Sequence, residues 1–266
     1  MPLKPPTSAF GRNVTVDCIR GLLALHVFTE HFFERKIHGY AGFPFGLAGY
    51  SVWGFFALSA YVLCRSWDGN FFAFLVRRLV RLWPLYALCL TLGYLGLGQA
   101  PEPLRYVFLP VQISPPPAVD PPSWSLTVEW WAMMAMPLYV WAARGPYIRV
   151  VGLMLLCIPL ALWVDGRLIN GQFFIFGAFL SRFEIRWRLL ETRFCIWLGQ
   201  ISFPLYLSQW LVQAFLPVPL PLQILAAFGL AQLLTWTVEA WSIKWSRKAG
   251  EFVLNYRLSK TSYAPV

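Results

Sequence analysis

The chain has 266 residues, of which 58% are hydrophobic, 18% aromatic and only 13% charged, with a mean hydropathy of +0.55. A water-soluble domain carries about 25% charged residues, so this composition excludes an ordinary soluble globule and points to apolar helices in a bilayer around one polar interior. The net charge of +10 is placed mainly between apolar stretches, which fits orientation in a membrane rather than nucleic-acid binding; no polar segment carries a basic stripe with interleaved aromatics.

Apolar runs occupy 14–33, 46–66, 74–97, 123–143, 148–165, 169–183, 194–215 and 222–244. They predict an all-α, polytopic transmembrane helix bundle of about eight crossings. A crossing needs about 20 residues, and only the run at 169–183 is clearly short. The whole of 1–266 reads as a single membrane-embedded domain with tails at 1–13 and 246–266. The first run contains His26, Glu30 and His31 and is followed by Glu34, Arg35 and Lys36, unlike the core of a cleavable signal peptide; the first helix is expected to stay. Prolines from Pro101 to Pro122 forbid a continuous helix, so 99–122 reads as an external loop over a site.

Charge placement sets the orientation. With a cytoplasmic N-terminus and every run crossing, all but four of the 22 basic residues (Arg35, Lys36, Arg105 and Arg167) fall inside, as the positive-inside rule expects. Both termini are then cytoplasmic. Without a crossing at 169–183 the basic loop 182–193 would lie outside, so that run is kept as a crossing. Cys18, Cys64, Cys89, Cys157 and Cys195 lie at or inside apolar runs without CxxC spacing. They predict neither a disulfide framework nor a metal site.

Ionisable groups inside membrane helices are expensive and point to function. Arg20 and His31 are eleven residues apart, a rotation of about 1100° that returns both to one helix face, roughly 16 Å apart along the axis. Glu34 shares the face of His31 and could orient its imidazole. The competing reading of His31 is a helix-end histidine wetted by the interface; His26 lies off this face and reads as a satisfied packing residue. Arg77, Arg78 and Arg81 cluster at the cytoplasmic end of the third run. Arg78 and Arg81, at i and i+3, could chelate phosphates with their guanidinium forks. Arginines there also satisfy topology without any ligand.

Ser123 or Ser125 reads as an N-cap of the fourth helix. Ser125 and Glu129 share a face, and Glu129 needs a partner, for which His31 is the natural candidate. A carboxylate tied to a helix end or to interfacial water is the alternative. Glu239 reads as a topological charge or a helix salt bridge.

Taken in order, four stretches resemble the acyltransferase type 3 family. They are Asp17-Cys18-Ile19-Arg20-Gly21 followed by His31; Phe55 to Leu63 with the arginine segment ending Arg81-Leu82-Trp83-Pro84-Leu85-Tyr86; Trp124-Ser125-Leu126-Thr127-Val128-Glu129; and Leu198-Gly199-Gln200-Ile201-Ser202-Phe203-Pro204-Leu205-Tyr206-Leu207. The resemblance implies transfer of an acyl group, commonly acetyl from acetyl-CoA, to a hydroxyl of a carbohydrate or lipid acceptor. It puts the catalytic histidine on His31, with Arg20 and Glu129 beside it. It puts the donor-binding arginines on Arg78 and Arg81. Arg77 beside them, Glu34 on the face of His31, and Trp124 and Ser125 in the matched stretch read as supporting residues.

The implied partners are acyl-CoA as a donor substrate rather than a resident cofactor, the hydroxyl acceptor and the bilayer, in a bacterial inner membrane. This chain departs from the family in having about eight crossings instead of the usual ten. Gln209 also stands where many members carry a histidine. Two other expectations stay open: a catalytically inactive member acting in binding or assembly, and a proton-coupled transporter, which would usually show internal repeats.

Overall fold

The computed structural model describes residues 13–37, 48–99, 121–164 and 166–261. Among the described residues there is no strand. The helices are α1 (Val14–Ile37), α2 (Ala48–Arg65), α3 (Phe71–Gly96), α4 (Trp124–Met134), α5 (Met136–Arg144), α6 (Tyr147–Trp163), α7 (Gly171–Leu180) and α8 (Arg193–Phe215). The last, α9, runs through Leu220–Leu234, a π-helical turn at Thr235–Glu239, and Ala240–Thr261. Of the expected loop at 99–122, positions 100–120 lie outside the described residues.

The chain divides into two interleaved compact units, Met1–Ser66 with Met134–Phe203, and Trp67–Met133 with Pro204–Val266. In the first unit the basic segments gather at one end. Asn13 caps α1 by accepting the Val16 N–H at 3.1 Å, and its amide donates to the Ile185 carbonyl at 2.8 Å. The Thr15 hydroxyl donates to Glu191 at 2.7 Å and accepts the Trp187 N–H at 3.0 Å. Arg65, ending α2, donates to the carbonyls of Ser181 and Phe183, both at 3.3 Å. Arg182 donates to the Ala142 carbonyl at 3.0 Å and to Gly145 at 2.5 Å, closing the C-terminus of α5. A cation there satisfies orphan carbonyls and opposes the negative end of the helix dipole. These basic side chains therefore cap helices as well as carrying charge.

Three sequence boundaries change. The run at 123–143 is two helices, broken at Ala135. Pro137 opens the second helix, and its missing N–H and ring stop the first from continuing. The run at 169–183 begins with a 3-10 segment, Gly166–Asn170, before the ten-residue α7. At about 2.0 and 1.5 Å per residue the two together cover about 25 Å, matching the rise of α6. Helix α9 continues to Thr261, so most of 246–266 is helical.

Large apolar side chains are turned outward, as on helices that face lipid. In α6 only Val150 is buried, while Ile148 is 72% exposed and Leu162 78% exposed. Phe71–Gly96 and Leu220–Asn255 are each long and apolar enough to cross a membrane. Close helix contacts rest on glycine, as in membrane bundles. A Cβ on Gly177 of α7 would meet the Ala57 carbonyl carbon of α2 at 2.6 Å.

Candidate functional site

In the first unit α1 is unbroken, so the spacing of Arg20 and His31 holds as read. Ala24 and Val27, which lie between them on the same face, are fully buried. The stripe therefore faces protein rather than lipid, and both Arg20 and His31 are half-buried on it. Arg20 Nη1 donates to Asp17 Oδ1 at 3.2 Å, an i, i+3 ion pair. The position of Asp17 is fixed in turn by α8. A Cβ on Gly199 would meet the Asp17 carbonyl carbon at 2.7 Å, and one on Gly21 would meet the Leu198 carbonyl carbon at 2.7 Å. Backbone crosses backbone one residue from Arg20, which explains why glycine stands at both places.

His26 is satisfied, as expected. Its Nδ1 lies 2.7 Å from the Ser51 hydroxyl and its Nε2 3.7 Å from Glu30. Glu30 also accepts the N–H of Ala48, tying the far end of α1 to the start of α2. Glu34 belongs to α1, but its side chain lies outside the described residues.

The second unit holds the other expected residues. A 3-10 turn, Pro121–Ser123, precedes Trp124, so Ser125 lies inside α4 and is not its N-cap. Its Oγ instead sits 2.9 Å from the Tyr206 hydroxyl, and both hydroxyls reach the Pro122 carbonyl, at 3.1 and 3.3 Å. One can donate to the carbonyl while the other donates to its neighbour. This buried knot pins the entry of α4 to α8. Trp124 opens the helix, and Glu129, one turn beyond Ser125, is half-buried.

The arginine cluster is more committed than its sequence implied. Arg77 pairs with Asp68 at 2.7 Å, and its side chain packs where a Cβ on Gly250 would stand. Arg81 pairs with Glu239 at 2.5 Å. Arg78 is half-buried with its guanidinium 6.0 Å from the centre of the Phe74 ring. Asp17, Tyr206 and Glu239 are the partners that sequence reasoning missed. The spacing of Asp17 to Arg20 could have revealed the first, but no local signal links Ser125 to Tyr206 or Arg81 to Glu239.

These features describe an all-helical chain, two of whose helices are long and apolar enough to cross a membrane, with an arginine and a histidine on a protein-facing stripe of α1 and a braced arginine cluster on α3. A family model described as an acyltransferase domain matches residues 13–198, well over half of the chain, and the chain belongs to that family, acyltransferase type 3. It is thus a membrane acyltransferase by family. The matched segment holds Arg20, His31, Arg78, Arg81 and Glu129, and ends before Tyr206 and Glu239. No curated protein and no solved structure matches the chain.

Proposed function

We propose that the protein moves an acyl group, in the first place acetyl, from acyl-CoA to a hydroxyl of a carbohydrate or lipid acceptor. The observation that carries this reading is the inward stripe of α1, where a histidine and a braced arginine share a protein-facing surface about 16 Å apart. That separation suits a donor whose charged head and reactive carbonyl are far apart.

In this reading Arg78 and Arg81 receive the donor phosphates, with Arg77 adding positive field, and Arg20 is assigned by the resemblance as the partner of His31. His31 takes the proton of the acceptor hydroxyl as its oxygen attacks the thioester carbonyl. The new C–O bond forms, the C–S bond breaks, and the proton passes to the departing CoA thiolate. Glu129 is assigned to the reaction by the family resemblance, and Glu34 to the support of His31 by its place three residues further along α1. Apolar surroundings limit hydrolysis of the thioester. We place the protein in a bacterial cytoplasmic membrane with about eight crossings and both termini inside. The gathering of basic segments at one end of the first unit supports that orientation.

The test uses purified protein in detergent, labelled acetyl-CoA, and a panel of sugars and glycolipids. Label should move to a hydroxyl acceptor with wild type. His31→Ala should lower the rate by about a hundredfold or more, the lower range for loss of a general base. Equal transfer by both proteins would remove His31 from the mechanism. Failure of wild type to bind or turn over acyl-CoA would remove the donor.

A further inference from the structure

A carboxylate inside an apolar helix is costly unless it is paired. Glu239 is 5% exposed, yet only one of its oxygens is engaged across helices. Oε1 accepts from Arg81 Nη2 at 2.5 Å, while Oε2 is buried without a donor. A pair built for stability alone would satisfy both oxygens. A charge present only for orientation would sit exposed at a helix end. Glu239 does neither.

Its backbone setting is also unusual. Glu239 closes the π-helical turn Thr235–Glu239, and such turns, which insert a residue into a helix, collect at functional sites. The turn delivers a second partner as well. Ser242, buried one turn further on, places its hydroxyl 3.5 Å from Arg81 Nη1 while donating to the Glu239 carbonyl at 2.9 Å. Arg81 is therefore held along one edge of its guanidinium, and it keeps 26% of its side chain exposed. A guanidinium has five N–H donors in a fixed fork, so holding one edge aims the others.

We propose that Glu239 is a positioning residue for the donor site: through the π turn it fixes the fork of Arg81 in the setting that receives a phosphate of acyl-CoA. The proposal rests on the donor reading given above. It also makes a prediction of sign. An anion beside Arg81 weakens the local positive field, so a Glu239 without a positioning role would, when neutralised, tighten phosphate binding. A positioning Glu239 gives the reverse.

The experiment compares acetyl-CoA with acetyl-pantetheine, which carries the same thioester without phosphates, in wild type and Glu239→Gln. Wild type should prefer acetyl-CoA. Glu239→Gln should raise KM for acetyl-CoA about tenfold, with the loss in KM rather than kcat, and should shrink the kcat/KM preference for acetyl-CoA by a similar factor. An equal loss on both donors would make the role merely structural, and a lower KM for acetyl-CoA would make Glu239 a competitor of the phosphate. Either result overturns the proposal. If wild type itself shows no preference for acetyl-CoA, the donor reading falls and the proposal with it. Should Glu239→Gln fail to give monodisperse protein, Glu239→Asp carries the same comparison, because it withdraws the carboxylate by one methylene.

Discussion

Arg20 is set by a residue three positions before it. The Asp17 carboxylate holds the guanidinium, and the Gly199 backbone holds Asp17 in place. With Arg20 about 30% exposed, the pair contributes at most about 1 kcal/mol to stability, so its worth should appear in turnover. Asp17→Asn is expected to lower kcat/KM several-fold with little change in melting temperature. Asp17→Asn and Arg20→Ala should combine to less than the product of their separate effects, because both break one interaction. Multiplicative losses would separate Asp17 from Arg20. Much of this stripe was legible in the sequence, because one unbroken helix fixes every angle between Arg20 and His31. The nearer partner of Arg20 is Asp17, whose i, i+3 spacing is as visible in the sequence as the distance to His31. Glu239 was not legible as the partner of Arg81. Their pairing joins positions far apart in the chain and depends on a π turn that hydropathy does not reveal.

At the scale of helices, the contacts that position these residues are backbone against backbone. Gly21 and Gly199 let α1 meet α8, and Gly177 lets α7 meet α2. Overpacking ordinarily costs about 1–3 kcal/mol, and a Cβ pressed on backbone belongs at the upper end. Gly199→Val should therefore lower the melting temperature and displace Asp17, reducing activity beyond the loss of folded protein. Gly229→Ala, where a Cβ meets nothing within 4 Å, is the matched control and should leave stability equal or slightly raised. If the two variants melt alike, the close crossing does not hold the site. Hydropathy found the helices but not these crossings, since a glycine in an apolar run looks the same whether it faces lipid or another backbone. It also merged α4 with α5, because their residues are apolar on both sides of the Ala135 break.

At the scale of the molecule, the proposed orientation rests on outward-facing apolar side chains and on the basic residues gathered in the first unit. The first unit collects Arg65, Arg182 and the loop bonded to Thr15 at one end. Arg167 follows α6 on the other side of the 166–180 segment. In a cysteine-free background, Arg186→Cys should react with an impermeant maleimide only from the cytoplasmic face, and Arg167→Cys only from the outside. Labelling of both from one face would reverse the crossing at 169–183 and the count of about eight.

In the proposed reaction His31 takes the proton in acyl transfer from acyl-CoA. CoA release from acetyl-CoA, measured in one detergent with a saturating acceptor on wild type and His31→Ala of equal melting temperature, tests it most directly. Wild type should release CoA steadily, and the variant about a hundredfold or more slower. Release by His31→Ala at the wild-type rate would contradict it.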